Sequence, residues 1–183
     1  AERIVYASVR NQDYDRAIKT YADYIEKYPD FEGVSDLIAG QAYFYGRKGD
    51  QARSDELFQK ARDSYKNAIE ATLDNQKKAE LYFRLAKAYE LRREFDEARA
   101  QYELVIKEFS DTPLREPAQV ALGDTWIMEG NNARCLEYFQ VLMGREQANP
   151  RMVQAIRARV MRLMSEQRDG GTTPTATSPA PGQ

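Results

Sequence analysis

The segment YDRAIKTYADYIEKYPD, Tyr14 to Asp30, decides the fold because its pattern returns in FDEARAQYELVIKEFSD, Phe95 to Asp111. Both segments have an aromatic residue first, Asp second, Ala fourth, Tyr eighth, Ile twelfth, an aromatic residue fifteenth and Asp last. Apolar and small residues three or four positions apart lie on one face of an α-helix. Each segment therefore predicts a helix that packs through one face, and the repetition predicts stacked copies of one structural unit.

Two weaker copies of the same pattern occur at LFQKARDSYKNAIEATL, Leu57 to Leu73, and NARCLEYFQVLMG, Asn132 to Gly144. A small side chain allows two helices to approach, and an aromatic ring four residues later fills the neighbouring gap on the same face. All four copies have such a pair: Ala17 with Tyr21, Ala61 with Tyr65, Ala98 with Tyr102, and Cys135 with Phe139.

A second pattern, a small residue followed by an aromatic one three positions later, comes before the last three copies. It occurs in GQAY (40–43), LAKAY (85–89) and LGDTW (122–126), and a glycine or charged turn follows each time. We expect these segments to form the first helix of each pair, with the repeated segments above as the second helix. The prediction is an all-α chain of helical hairpins.

These small and aromatic positions resemble those of the tetratricopeptide repeat family, over about residues 1–145. The resemblance implies a right-handed superhelical solenoid of about four antiparallel helix pairs. The predicted repeat domain spans 1–168, with units at about 1–30, 34–73, 77–111 and 115–146, a C-terminal capping helix at 150–168, and a disordered Thr/Pro/Ala-rich tail at 169–183.

Two segments depart from a regular repeat. The second unit has extra residues around GRKGDQARS, which predict a second helix lengthened at its start, with Asp50 as its N-cap. At the C-terminal end, Asn149 and Pro150 predict a helix start, and Met152, Ile156, Val160, Leu163 and Met164 form an apolar stripe. This helix is predicted to cover the last repeat, and the alternative is a basic helix that binds a partner or an anionic surface.

The composition argues against several functional classes. Lys plus Arg number 27 and Asp plus Glu number 29, a formal charge of −2 that does not favour nucleic-acid binding. The chain has no histidine, which removes the commonest metal ligand and general base, so we expect no enzyme, catalytic residue, cofactor or metal site. The single cysteine, Cys135, is predicted to be a buried packing residue. No apolar run is long enough to cross a membrane.

The resemblance also implies a protein-binding groove lined by the first helices, at positions one and four to five residues after each small residue. Val9 and Leu91 occupy such positions, and Phe83 is added from the preceding helical turn. The predicted partner-binding residues are Tyr6, Arg10, Gln41, Phe44, Tyr45, Phe83, Lys87, Glu90, Asp124, Ile127 and Met128. Family members that clamp a terminal carboxylate have Lys, Arg and Asn here, but this chain has Leu37, Phe83, Val120, Gln41, Lys87 and Asp124. An apolar or helical segment of a partner is therefore expected.

The sequence thus predicts a non-catalytic scaffold that binds a protein segment in its groove. The alternative is a permanent structural subunit of a larger, membrane-associated assembly, which would use the convex face, the long second-unit helix and the tail. The linkers EKYPDFEGVSD and KEFSDTPLREPAQVALGD resemble those of bacterial periplasmic and outer-membrane-associated members and favour such a location. A homo-oligomer is compatible with both alternatives.

Overall fold

The computed structural model describes residues 13–145 and 149–170, with side chains described through Ser165. These residues form eight α-helices and no β-strand. The helices are α1 Tyr14–Lys27, α2 Val34–Lys48, α3 Gln51–Ala71, α4 Asn75–Arg92, α5 Phe95–Glu108, α6 Arg115–Glu129, α7 Asn132–Met143 and α8 Pro150–Gly170. The predicted all-α class is confirmed, and the chain of short-linked helices is consistent with a helical solenoid of helix pairs.

The chain divides into two compact parts, Ala1–Glu129 and Gly130–Gln183. In the first part each helix contacts the next along the chain from α1 to α6, and α2 also contacts α4. The contact between α2 and α4 joins the first helices of two successive hairpins, as stacked repeats require.

Helix starts and turns follow directly from the local sequence. The Asp13 and Asp50 carboxylates each accept a hydrogen bond from the backbone N–H three residues later, at 3.1 Å in both cases. The predicted N-cap at Asp50 is thereby confirmed. Three two-residue hairpins begin with a left-handed residue, Gly49 (φ 93°), Arg93 (φ 61°) or Gly130 (φ 90°). A left-handed residue ends a helix sharply, and the next helix then starts almost at once.

The small residues of the repeat lie where the packing argument requires. Ala17, Ala61, Ala98 and Cys135 are all 0% exposed. The aromatic partners Tyr65, Tyr102 and Phe139 are also buried, and Tyr21 is half-buried. At Gly40 an added Cβ would lie 2.8 Å from Cζ of Tyr21, so a larger residue at this contact between α1 and α2 would displace the Tyr21 ring.

The extra residues of the second hairpin lengthen α3, which has 21 residues where α5 has 14. Ser54, in the added turns, is buried; its hydroxyl donates to the Ala42 carbonyl at 2.8 Å and accepts from Arg92 at 2.9 Å. The Arg92 guanidinium also lies over the Phe58 ring at 5.1 Å. The extension therefore ties α3 to both α2 and α4.

The C-terminal part contains α7 and α8, which contact each other. Asn149 caps α8 by accepting from the Arg151 backbone N–H at 2.9 Å, as its sequence predicts. Met152, Ile156 and Leu163 of the predicted stripe are buried, but Met164 is exposed, and its neighbour Met161 is 71% exposed. The buried part of the apolar stripe is thus narrower than expected, because Met152, Ile156 and Leu163 are covered while Met164 is left exposed.

The α8 helix continues to Gly170, two residues beyond the expected end. The rest of the predicted tail lies outside the described residues. Among the helices of the described residues, none combines the length and apolar character that a membrane crossing needs.

Candidate protein-binding surface

Helix α4 presents three of the predicted groove residues along one face, because positions 83, 87 and 90 are spaced by about one helical turn. They meet Tyr102 of α5. The Phe83 ring packs edge-to-face against the Tyr102 ring at 5.3 Å. The Lys87 ammonium lies 5.9 Å from the centre of the Phe83 ring and 5.8 Å from that of Tyr102, within the range of cation–π attraction.

Glu90 completes this arrangement from the same helix. Its side chain is only 9% exposed. One carboxylate oxygen accepts a hydrogen bond from the Tyr102 hydroxyl at 2.7 Å, and the other accepts from Lys87 at 2.9 Å. The negative charge of Glu90 is therefore neutralised inside the cluster by a charge-assisted bond.

Burial raises the pKa of the Tyr102 hydroxyl, and the negative charge of Glu90 raises it further. The Asp124 carboxylate of α6 acts in the same direction. Tyr102 is thus held as a neutral hydrogen-bond donor under a surface formed by α4, with a residue of α6 close enough to influence it.

We call Phe83, Lys87, Glu90 and Asp124 the groove patch. Lys87 is exposed and Phe83 and Asp124 are half-buried, so the patch is accessible to a partner. The structure brings these four predicted residues together around Tyr102, which sequence reasoning treated only as a packing residue. The sequence contained one signal for this role, which is that Tyr102 is an aromatic residue of the second helix of its hairpin, opposite the predicted groove residues of the first helix.

Two predicted groove residues do not belong to the accessible surface. Phe44 is only 3% exposed, because the Tyr14 and Tyr21 rings of α1 lie 6.1 and 6.0 Å from its own ring and cover it. Gln41 is buried and its amide donates to the Ile18 carbonyl at 3.4 Å. Both side chains hold α1 against α2, so the prediction that they contact a partner is corrected.

The remaining predicted residues lie at other places. Tyr45 is half-buried and packs against the same α1 and α2 cluster as Phe44. On α6, Ile127 is half-buried and Met128 is exposed, and the Met128 carbonyl accepts from the Arg93 guanidinium at 3.3 Å. Tyr6, Val9 and Arg10 lie outside the described residues.

Ion pairs between hairpins hold the helices that carry the patch. The Asp36 carboxylate of α2 accepts from the buried Tyr65 hydroxyl of α3 and from Arg84 of α4, whose Nε lies at 2.8 Å. Because one carboxylate serves both donors, α2, α3 and α4 are fixed at a single point.

A second junction connects α5 to α6. The Arg99 guanidinium donates to Asp96 at 2.5 Å and to Glu129 at 3.0 Å, and lies 5.6 Å from the Trp126 ring. Burial alone would lower the pKa of Arg99, but its bonds to Asp96 and Glu129 outweigh this and raise it. The α6 residues of the groove are thereby positioned relative to α5.

The groups on this surface are aromatic rings, an aliphatic lysine stem and paired charges, which suit non-covalent contacts. Across residues 13–145 and 149–165, no three Cys, Asp or Glu side chains gather in a way that could hold a metal ion. Half-buried aromatic and apolar groups beside internally neutralised charges are typical of protein-binding surfaces.

The comparison with known families agrees with the repeat pattern. A family model described as Tetratricopeptide repeat matches residues 3–30 and 80–112. The second match includes most of α4 and all of α5, and with them Phe83, Lys87, Glu90 and Tyr102. The matches support a tetratricopeptide repeat family; such repeats generally mediate protein–protein interactions, and the family is typically non-enzymatic. No curated protein matches the chain.

Proposed function

We propose that the chain is a protein-interaction scaffold that binds a segment of a partner protein across the groove patch. The other predicted groove residues that are not fully buried, Tyr45 of α2 and Ile127 and Met128 of α6, are proposed to extend this site. The observation that carries the proposal is the arrangement of Phe83, Lys87 and Glu90 over the buried Tyr102. It provides an aromatic anchor, an aliphatic lysine stem and a satisfied carboxylate on one helix face.

The charges of the patch favour an apolar or helical segment over a terminal carboxylate. Lys87 is already paired with Glu90 at 2.9 Å and is attracted to two rings, so its positive charge is largely compensated and would attract another anion only weakly. Burying the edge of Phe83 and the Lys87 stem against an apolar partner residue would remove apolar area from water without separating this pair. Aromatic residues in such positions often contribute most of the binding energy.

The test begins with capture of the partner by affinity purification and crosslinking, followed by titration with Phe83→Ala. We expect an affinity about five- to thirtyfold weaker, in line with about 1–2 kcal/mol for loss of an aromatic anchor. Tyr82→Ala is the matched control, because Tyr82 is the preceding residue of α4 and equally half-buried but packs against Phe109, at 5.7 Å between ring centres.

Circular dichroism and thermal melting establish that both variants remain folded. Unchanged affinity in folded Phe83→Ala and Lys87→Ala, or an equal loss in Tyr82→Ala, would refute the groove patch as the binding site.

A permanent structural subunit is the second candidate, and exposed apolar side chains in the C-terminal part favour it. Val141 of α7 is 63% exposed, and Met161 and Met164 of α8 are also exposed. If this surface holds the partner, capture should survive Phe83→Ala and be lost in Met161→Glu. Sedimentation of the purified chain over a wide concentration range separates self-association from binding to another protein.

A further inference from the structure

A crevice of about 520 Å³ lies where the end of α2, the start of α3 and the end of α4 meet. Tyr43, Arg47, Gln51, Leu91 and Arg93 line it, together with Glu90. Because Glu90 also belongs to the groove patch, the crevice adjoins the surface proposed above.

The arginines of this crevice differ in how their charge is compensated. Arg92, which also lines it, is paired with Asp55 at 2.5 Å and Glu94 at 3.2 Å. Arg47 instead contacts the hydroxyl of Tyr14, at 3.3 Å, and its ring, at 5.8 Å, and it forms no ion pair with a described residue. A guanidinium keeps its proton at every physiological pH, so Arg47 contributes a positive charge that no carboxylate of the described residues compensates.

Arg93 contributes the second uncompensated charge. Its guanidinium donates to the Met128 carbonyl at 3.3 Å and lies 5.2 Å from the centre of the Phe95 ring. Neither group is a carboxylate. The crevice therefore has two guanidinium groups that are oriented by aromatic rings and are not neutralised by the described residues.

The backbone at Arg93 is a second unusual feature of this hairpin. Arg93 adopts φ 61°, whereas Gly49 and Gly130 hold the equivalent left-handed position in the other two hairpins, with φ 93° and 90°. Glycine is the usual residue at this position because a Cβ is disfavoured there. The middle hairpin thus carries a strained arginine where the other two use glycine, and strain of this kind is concentrated at functional sites.

We propose that this crevice binds an acidic segment of the partner protein, with a carboxylate between Arg47 and Arg93. Leu91, which is 45% exposed, gives an aliphatic neighbour of that carboxylate a surface to contact. This inference rests on the proposed scaffold function and specifies the partner chemistry: an apolar stretch over the groove patch, continued by acidic residues in the crevice.

The test uses two synthetic peptides, Ac-Glu-Leu-Glu-NH2 and Ac-Gln-Leu-Gln-NH2, titrated at low salt into the ¹⁵N-labelled full chain. The acidic peptide should bind about tenfold more tightly, about threefold for each guanidinium, as expected for exposed ion pairs. Its binding should shift the side-chain Nε signals of Arg47 and Arg93, and the preference should disappear in R47Q/R93Q.

K19Q/K60Q is the matched control, because it removes two exposed lysines that do not line the crevice. This variant should retain the preference. Equal binding of the two peptides to the wild type, or an equal loss in the control variant, would overturn the proposal and indicate general charge attraction.

Arg93→Gly separates a binding role from a structural one. Removing the left-handed Cβ should raise the melting temperature by about 2–4 °C, while the affinity for the acidic peptide falls about threefold. A more stable variant with unchanged affinity would show that Arg93 does not bind the segment.

The failures of the two proposals can be distinguished. If the wild type shows no preference for the acidic peptide but Phe83→Ala still weakens partner capture, only the crevice proposal is refuted. If the wild type prefers the acidic peptide but Phe83→Ala leaves partner capture unchanged, only the groove patch is refuted as the binding site.

Discussion

Replacing Gly40 with alanine should destabilise the protein, although the same change inside a helix is normally stabilising. Gly40 lies in α2, and alanine there would favour the helix by about 1 kcal/mol. The added Cβ, however, would lie 2.8 Å from Cζ and 2.9 Å from the hydroxyl oxygen of Tyr21. Carbon atoms in contact are normally at least 3.5 Å apart, so the Tyr21 ring or α1 must move.

The loss of stability expected for Gly40→Ala depends on how far the Tyr21 ring can move away from the added Cβ. Its ring stacks at 6.0 Å on Phe44, which is buried, so movement in that direction disturbs the α1 and α2 core. Overpacking of this kind costs about 1–3 kcal/mol. After the helix preference of about 1 kcal/mol is subtracted, we expect Gly40→Ala to lower the free energy of unfolding by about 1 kcal/mol.

Urea unfolding followed by far-ultraviolet circular dichroism measures this difference. The decisive comparison is the same substitution in a Tyr21→Leu background, where the shorter side chain leaves room for the Cβ. There Gly40→Ala should stabilise by about 0.5–1 kcal/mol, so the effect changes sign. Stabilisation of similar size in both backgrounds would refute the packing reason for glycine at this position.

Two further predictions concern the buried tyrosines. Asp36→Ala leaves the Tyr65 hydroxyl and Arg84 without their shared acceptor, so the free energy of unfolding, measured in urea, should fall by about 2 kcal/mol. Tyr65→Phe keeps the Asp36–Arg84 pair and should lower it by only about 1 kcal/mol. Equal losses in the two variants would contradict the shared role of Asp36. Burial and neighbouring carboxylates raise the pKa values of Tyr65 and Tyr102, so the folded chain retains protons that the unfolded chain releases near pH 10. The free energy of unfolding should therefore fall as pH rises above about 10, by up to about 1.4 kcal/mol per pH unit for each tyrosine, and the fall should be shallower in Tyr102→Phe.

The sequence was sufficient for the features that depend on helix geometry. The small residues such as Ala61 and Ala98, the N-caps Asp50 and Asn149, and the lengthened α3 all lie where the pattern predicts. These features are local, since a period of 3.6 residues and the needs of a helix end are set within a few positions of the chain.

Only the tertiary structure separated the accessible side chains of the predicted groove from those that pack between helices. The sequence predicts both Phe44 and Phe83 as groove residues. In the structure the α1 rings cover Phe44, whereas Phe83 stays half-buried beside Lys87. The role of Tyr102 beneath the groove patch, and the meeting of Arg47 with Arg93 at one crevice, were likewise decided by packing. The physical reason is that exposure and charge compensation depend on which distant helices approach a side chain, and a local pattern carries no information about those neighbours.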